Sequence, residues 1–240
     1  MKRLDDYSQY FLRSPALVKE LIGHSSIKKA DTVYDIGAGS GTISSVLATR
    51  AKKVVALEIE PRMAGKLEQN MARYQNVMVK PAYFFKTTLP HEPYKVFANI
   101  PFHISSLIVQ RLVFEGGGLK GAWLIVQRQF AQKLLIERTS FTSQLGALIA
   151  PFVHVAIRRP LRRTDYWPHP NVDTVLCELL PREKPLVKAS DTVRYRRFIV
   201  RCYDDVKYFR ALPLAAAGLA ADARPSQLSL TQWLLLFERA

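Results

Sequence analysis

Three short segments carry residues whose types and spacing can do chemistry. Asn99-Ile100-Pro101-Phe102 follows a β-branched run. An exocyclic amine on a nucleobase is a poor nucleophile, because its lone pair is delocalised into the ring. The Asn99 side-chain oxygen and a neighbouring backbone carbonyl can both accept from such an amine, drawing the nitrogen towards tetrahedral geometry and localising its lone pair for attack on a sulfonium methyl. Pro101 fixes the loop and Phe102 can stack on a flat base. Gly37, Gly39 and Gly41 sit between an apolar run and an amphipathic stretch. Glycines there let the backbone turn tightly and approach a ligand, and the helix that follows aims its free N–H groups at it. Glu58 ends the next strand, about twenty residues on, where a carboxylate can accept from both hydroxyls of a ribose. The glycine spacing is not that of a dinucleotide fingerprint, and no Lys-Ser/Thr pair follows as in a triphosphate loop. An adenosine bearing a short amino-acid tail fits better. Each segment alone is also compatible with an ordinary turn or an exposed strand end.

These segments need strands and helices to position them. Short β-branched runs at Val33–Ile36, Val54–Ile59, Val77–Lys80, Lys95–Asn99 and Trp123–Gln127 alternate with helical stretches at Thr42–Arg50, Arg62–Tyr74 and Ile104–Phe114. Such alternation implies right-handed crossovers and a mostly parallel, covered sheet. Phe152–Ile157 and Val172–Leu180 read as antiparallel strands at the sheet edge. A break at Pro181–Pro185 precedes two helical segments, a basic one at Val193–Tyr203 and a final one at Thr231–Phe237 with an apolar face of Trp233, Leu234 and Phe237. The expected organisation is an α/β Rossmann-like domain over 1–180 and a small helical subdomain over 181–240. The second is too short for a good core of its own and is expected to dock on the first.

Composition narrows the partners. Of 240 residues, 48% are hydrophobic and 23% charged, which excludes a disordered or low-complexity chain. A net charge of +15 serves solubility or a polyanionic partner. Arg158, Arg159, Arg162 and Arg163 form one dense run, and Arg194, Arg196, Arg197 and Arg201 cover more than one face of a helix. Such side chains form a solvated face or supply phosphate contacts with steep salt dependence. Cys177 and Cys202 form no Cys-x-x-Cys, the histidines show no metal-ligand spacing, and the N-terminal stretch carries no apolar signal region, so reduced thiols, no metal and a cytoplasmic location are expected. No apolar stretch is long enough for a membrane span, and a monomer is expected.

The chain resembles the rRNA adenine-N6 methyltransferases that use S-adenosylmethionine, and within that group it is most similar to the erythromycin-resistance (Erm) methyltransferases of 23S rRNA. The resemblance covers nearly the whole length. Ser8-Gln9-Tyr10-Phe11-Leu12 resembles the segment that closes over the cofactor, which would place Gln9, Tyr10 and Leu12 there. Gly37, Gly39 and Gly41 match the glycine loop, Glu58 with Ile59 the ribose-binding strand end, and Asn99 to Phe102 the catalytic loop. Gln127-Arg128-Gln129-Phe130-Ala131 resembles the strand-to-helix segment that follows. In Tyr166-Trp167-Pro168-His169-Pro170-Asn171-Val172-Asp173 the resemblance implies that Tyr166 helps Phe102 hold a flipped adenine. The tail Pro225 to Phe237 favours the Erm group over the small-subunit dimethyltransferases.

The family pattern has an Asp accepting from the cofactor's adenine amine where this chain has Pro81. Proline offers no side-chain acceptor and no N–H. The Pro81 carbonyl and the Ala82 N–H remain to read the adenine edge. Tyr10 also stands where the family has Asn. The implied reaction is methyl transfer from S-adenosylmethionine to an adenine N6 in 23S rRNA, with macrolide, lincosamide and streptogramin B resistance as the phenotype. Methylation of another rRNA base or of 16S rRNA stays open, as does a non-catalytic nucleic-acid-binding factor on the same fold.

Overall fold

The structure is a computed structural model that describes residues 11–136 and 141–240. It divides into two compact units. The first comprises described residues up to 128 together with 156–180, and the second comprises 129–155 and 181–240.

The first unit opens with β1 (Phe11–Leu12) and α1 (Pro15–Gly23). It continues with β2 (Thr32–Ile36), α2 (Thr42–Arg50), β3 (Lys53–Glu58), α3 (Pro61–Met71) and β4 (Val77–Pro81). Then come β5 (Tyr94–Asn99), α4 (Ser105–Phe114) and β6 (Leu119–Gln127). The expected strands and helices are all present, with ends shifted by a few residues. Helix α1 is an addition to the expected elements. Its signal is local: the Ser14 hydroxyl accepts from the Leu17 N–H and Pro15 takes the first turn, where a missing N–H costs nothing. Helix α3 starts in the same way, with the Glu60 carboxylate accepting from the Arg62 and Met63 N–H groups behind Pro61.

Later in the chain come α5 (Arg128–Leu134), α6 (Gln144–Ile149), β7 (Val153–Leu161), β8 (Tyr166–Trp167) and β9 (Thr174–Pro181). The main sheet has the order β4-β3-β2-β5-β6-β9-β7, and β1 pairs with β8 in a separate two-stranded ribbon. The strands from β4 through β6 are parallel, and β9 runs antiparallel to β6. Ala122 to Val126 of β6 are all buried, as expected for a strand covered on both faces. Leu21, Ile22 and Leu47 pack on Val33, Val54, Phe97, Trp123 and Leu176 in one core cluster, while Ala56 packs with Leu67 and Met71 in another. Only β7 of the two expected antiparallel strands lies at the edge. It runs on to Leu161 and so carries Arg158 and Arg159 in strand conformation, with Pro160 tolerated because the edge needs no further ladder bond.

The second unit adds α7 (Thr192–Asp204), α8 (Val206–Arg210) and α9 (Leu230–Glu238). It differs from the expected 181–240 by the segment 129–155, and with that segment it has a core of its own. Fully buried Trp233 stacks on Tyr203 at 5.7 Å and meets Phe198 edge-on at 6.1 Å. The Tyr195 hydroxyl donates to the Ala147 carbonyl and the Tyr203 hydroxyl to the Thr142 carbonyl, so α6 and its leader are tied to α7. Arg194 and Arg201 lie over the rings of Phe237 and Tyr208, which gives these two cations packing roles. Among the described residues no helix is long and apolar enough to cross a membrane. Cys177 and Cys202 are free and buried, and burial pushes both thiols up to about 12.

Candidate active site

The strand order reverses between β2 and β5, and in open α/β sheets ligands bind outside the carboxyl ends of the strands at such a point. A cleft opens there. Its walls come from the loops after β2, β3, β4 and β5, and Leu12 of β1 contributes to its rim.

Glu58 is the buried anion of this cleft. Its Oε2 accepts from the Gly39 N–H at 2.8 Å, and its Oε1 accepts from the Ile59 and Glu60 N–H groups, both at 2.9 Å. A carboxylate has about four acceptor positions, so roughly one remains for a ligand hydroxyl while the Gly39 bond stands. Gly37 and Gly39 line the cleft with φ of 71° and 57°. Gly41, expected among the cofactor contacts, lies outside the cleft lining. It caps α2 at φ 94°, and a Cβ there would come within 2.8 Å of Leu67 and 2.9 Å of Met71. Its left-handed backbone is what demands glycine, and the ends of the Leu67 and Met71 side chains of α3 would also have to shift.

The adenine side differs from expectation. Pro81 and Ala82 do not line the cleft, and the Ala82 N–H already donates to the Lys80 carbonyl at 2.8 Å. Pro81 is accommodated because β4 is an edge strand. The wall is instead built by Ile59 and Tyr83, both lining the cleft and both unusually exposed for large apolar side chains. Tyr83 is a residue that the linear sequence does not single out. Its loop is held by Arg111 of α4, whose guanidinium donates to the carbonyls of Phe84 and Thr87, lies 4.8 Å from the Phe84 ring centre and pairs with Glu115 at 3.1 Å.

Asn99, Ile100, Pro101 and Phe102 all line the cleft, joined by exposed His103. The Pro101 carbonyl accepts from the Ile104 N–H at 3.3 Å and the Ser105 hydroxyl at 3.2 Å. That leaves the Ile100 carbonyl as the backbone acceptor adjacent to Asn99. The Pro101 ring lies 3.6 Å from where a Cβ on Gly37 would project, so the loops after β2 and β5 meet.

Beneath the glycine loop lies Asp35, which no motif singles out although it is an acid inside a buried run. It is fully buried; Oδ2 accepts from the Ser44 hydroxyl at 2.6 Å, and Oδ1 is buried without a hydrogen-bond partner. Burial, with Glu58 nearby as a lesser cause, pushes its carboxyl up to about 7.

Two sets of expected contacts move. Tyr166, expected to hold a flipped base, is fully buried in the core with its hydroxyl 2.7 Å from that of Thr174. Of the arginine run, Arg158 pairs with Glu178, Arg159 with Glu20 and Arg163 with Asp173, while Arg162 is exposed and joins no ion pair among the described residues. Gln9 and Tyr10 lie outside the described residues.

The family model of ribosomal RNA adenine dimethylases matches residues 2–205. The chain belongs to that family. Similar proteins include an rRNA adenine N-6-methyltransferase of Lysinibacillus sphaericus, 29% identical over 81% of this chain and 78% of the relative. Another is ribosomal RNA small subunit methyltransferase A of Bacillus thuringiensis, 30% identical over 77% of this chain and 67% of the relative. Among solved structures, 23S rRNA methyltransferase ErmE matches with a TM-score of 0.81 at 27% identity, covering 95% of this chain and 98% of its own. A dimethyladenosine transferase from Plasmodium falciparum matches with a TM-score of 0.71 at 28% identity over 81% of this chain and 71% of its own. As a ribosomal RNA adenine dimethylase family member, the chain is an S-adenosylmethionine-dependent rRNA adenine-N6 methyltransferase. The cleft fits that cofactor. It offers a buried carboxylate for ribose, a Cβ-free backbone at Gly37 and Gly39, and the exposed apolar surface of Ile59 and Tyr83 for the base.

Proposed function

We propose that this methyltransferase modifies N6 of an adenine in 23S rRNA, adding one or two methyls, and thereby confers resistance to macrolides, lincosamides and streptogramin B. The observation that carries this reading is the match to ErmE along 95% of the chain, second unit included. The cytoplasm and a monomeric state are the setting we infer for it. A second reading, methylation of 16S rRNA, is favoured by the 30% identity to a small-subunit methyltransferase over 77% of the chain.

S-Adenosylmethionine supplies a methyl group on a positively charged sulfur. In our reading, Glu58 holds the ribose, and Ile59 and Tyr83 hold the adenine of the cofactor, with Leu12, Gly37 and Gly39 completing the wall. Asn99 Oδ1 and the Ile100 carbonyl accept the two hydrogens of the target amine, so the nitrogen lone pair is turned out of conjugation. Phe102, half-buried in the cleft, stacks on the target ring. The target adenine is extruded from its stack to arrive there. Arg162, together with whichever of Arg158, Arg159 and Arg163 exchange their carboxylate partners for phosphate, supplies non-specific affinity.

The test is transfer of labelled methyl to protein-free 23S and 16S rRNA, followed by mapping. Label in 23S adenine supports the proposal. Label in 16S alone overturns it in favour of the second reading.

A further inference from the structure

The chain has three tryptophans, and the structure treats them differently. Trp123 and Trp233 are fully buried, and Trp123 is further occupied by a hydrogen bond to Glu178. Trp167 is 64% exposed, the highest value among the large apolar side chains described. Its place explains this. Strand β8 pairs antiparallel with β1, Leu12 opposite Tyr166 and Phe11 opposite Trp167. Successive side chains of a strand point to opposite faces, so Tyr166 goes down into the core and Trp167 is turned out. Leu12, one ladder position away, lines the cofactor cleft. Leu12 shares the inward face of this ribbon with Tyr166, so the indole stands on the outward face of the same ribbon.

Its surroundings are polar and charged, with Arg13, Arg162 and Arg163 beside Asp165 and Asp173. The His169 ring meets it edge-on at 5.9 Å, and His169 Nδ1 lies 2.9 Å from the Arg163 carbonyl. Arg13 is exposed and its N–H donates to the Asp165 carbonyl, which ties it to the same ribbon. Arg162 and Arg163 are exposed just before it in the chain. Leaving an indole in water forfeits its burial, and among the described residues its ring contact is with His169. An exposed aromatic face among cations is the arrangement that binds unpaired nucleotides without reading their sequence.

We propose that Trp167 is a stacking platform for an unpaired base of the RNA substrate next to the target adenine. Extruding the target breaks its stack with its neighbour, and the indole offers that neighbour a replacement face. Arg13 and Arg162, joined by Arg163 where it exchanges Asp173 for phosphate, would neutralise the adjoining phosphates. This rests on rRNA being the substrate and adds a contact that the catalytic loop does not provide.

The fluorescence of the three tryptophans makes the test direct. Acrylamide, a neutral quencher, should reach Trp167 and leave Trp123 and Trp233 largely untouched. An adenine-containing single-stranded oligoribonucleotide, added to the full-length protein, should lower the Trp167 emission and protect it from acrylamide. A duplex of the same length should do neither. Trp167→Phe should remove the RNA-dependent signal. In methyl transfer to rRNA, Trp167→Ala should raise the KM for RNA about tenfold, in line with the loss of one base–aromatic stack, with kcat nearly unchanged and S-adenosylhomocysteine affinity unaltered. Trp167→Phe, which keeps a ring, should recover most of that loss. The proposal is overturned if the oligoribonucleotide leaves Trp167 emission and quenching unchanged, or if Trp167→Ala leaves the KM for RNA unchanged. Absence of methyl transfer by the wild type would contradict the rRNA reading alone, since the fluorescence arm needs no turnover.

Discussion

Gly39 donates its backbone N–H to Oε2 of Glu58 at 2.8 Å, so the acid available to ribose also ties the glycine loop to the end of β3. Glu58 thus acts before any cofactor arrives. A carboxamide in its place puts an N–H₂ group opposite N–H donors at Gly39 or at Ile59 and Glu60. Leaving one buried donor unsatisfied costs about 1–3 kcal/mol. Glu58→Gln is therefore expected to lower the melting temperature of the cofactor-free protein by several degrees and to weaken S-adenosylhomocysteine binding about tenfold or more. Calorimetry with and without ligand reads both effects. A loss of affinity with no loss of stability would mean that the Gly39 tie contributes nothing.

Gly41 holds a left-handed backbone that a side chain strains. A methyl at this position meets Leu67 and Met71 at under 3 Å, on a backbone that side chains rarely adopt. Gly41→Ala should cost about 1–3 kcal/mol in a denaturant titration. Gly23, at the end of α1 with nothing within 4 Å of an added methyl, is the internal control, and Gly23→Ala should be neutral or slightly stabilising.

Arg111 lies outside the cleft lining and is expected to influence cofactor binding through Tyr83. It reaches from α4 to the carbonyls of Phe84 and Thr87 and so fixes the loop that presents Tyr83. Arg111→Met removes these donors and keeps most of the stem. It should raise the KM for S-adenosylmethionine on the order of tenfold while leaving kcat and the KM for RNA nearly unchanged, since a hydrogen bond to a charged group contributes about 1.5–3 kcal/mol. Arg111→Lys, lacking the planar fork, should recover only part of this.

Asp35 gives the fold a pH dependence of definite sign. Its carboxyl is raised from 3.8 to about 7 in the folded protein, chiefly by burial. A folded state that holds its proton more tightly than the unfolded chain is favoured at low pH. The Asp35 contribution is thus fully present below about 3.8 and is lost as pH rises through about 7. Asp35→Asn cannot ionise, so its melting temperature should fall less than that of the wild type between pH 5 and pH 8. Parallel curves for the two proteins would show that Asp35 is already ionised throughout.

The loop after β5, Gly37 and Gly39, and Glu58 were legible in the sequence as candidate site segments, and the fold brings them to one cleft, because each is local: a few residues whose backbone demands are met within one turn. The parallel sheet was legible from alternating runs for the same reason. Tyr83 and Arg111 were not, because their relation exists only once α4 lies over the loop after β4. Tyr166 is buried, against expectation, because a two-residue strand has too short a pattern to show which face is buried; pairing with Phe11 and Leu12 decides it. The ion pairs of Arg158, Arg159 and Arg163 span 20, 139 and 10 residues of chain, and an arginine run read alone does not reveal such distant partners.

In the proposed reaction Asn99 and the Ile100 carbonyl turn an adenine amine into a nucleophile in this cleft. The most direct measurement is nucleoside mass spectrometry of rRNA after incubation with S-adenosylmethionine and either wild type or Asn99→Ala, with cofactor and RNA binding measured alongside. The expected result is methyl on adenine N6 with the wild type, and a rate at least about a hundredfold lower with Asn99→Ala while both ligands still bind. Methyl at another atom, or an undiminished rate in the variant, would contradict the claim.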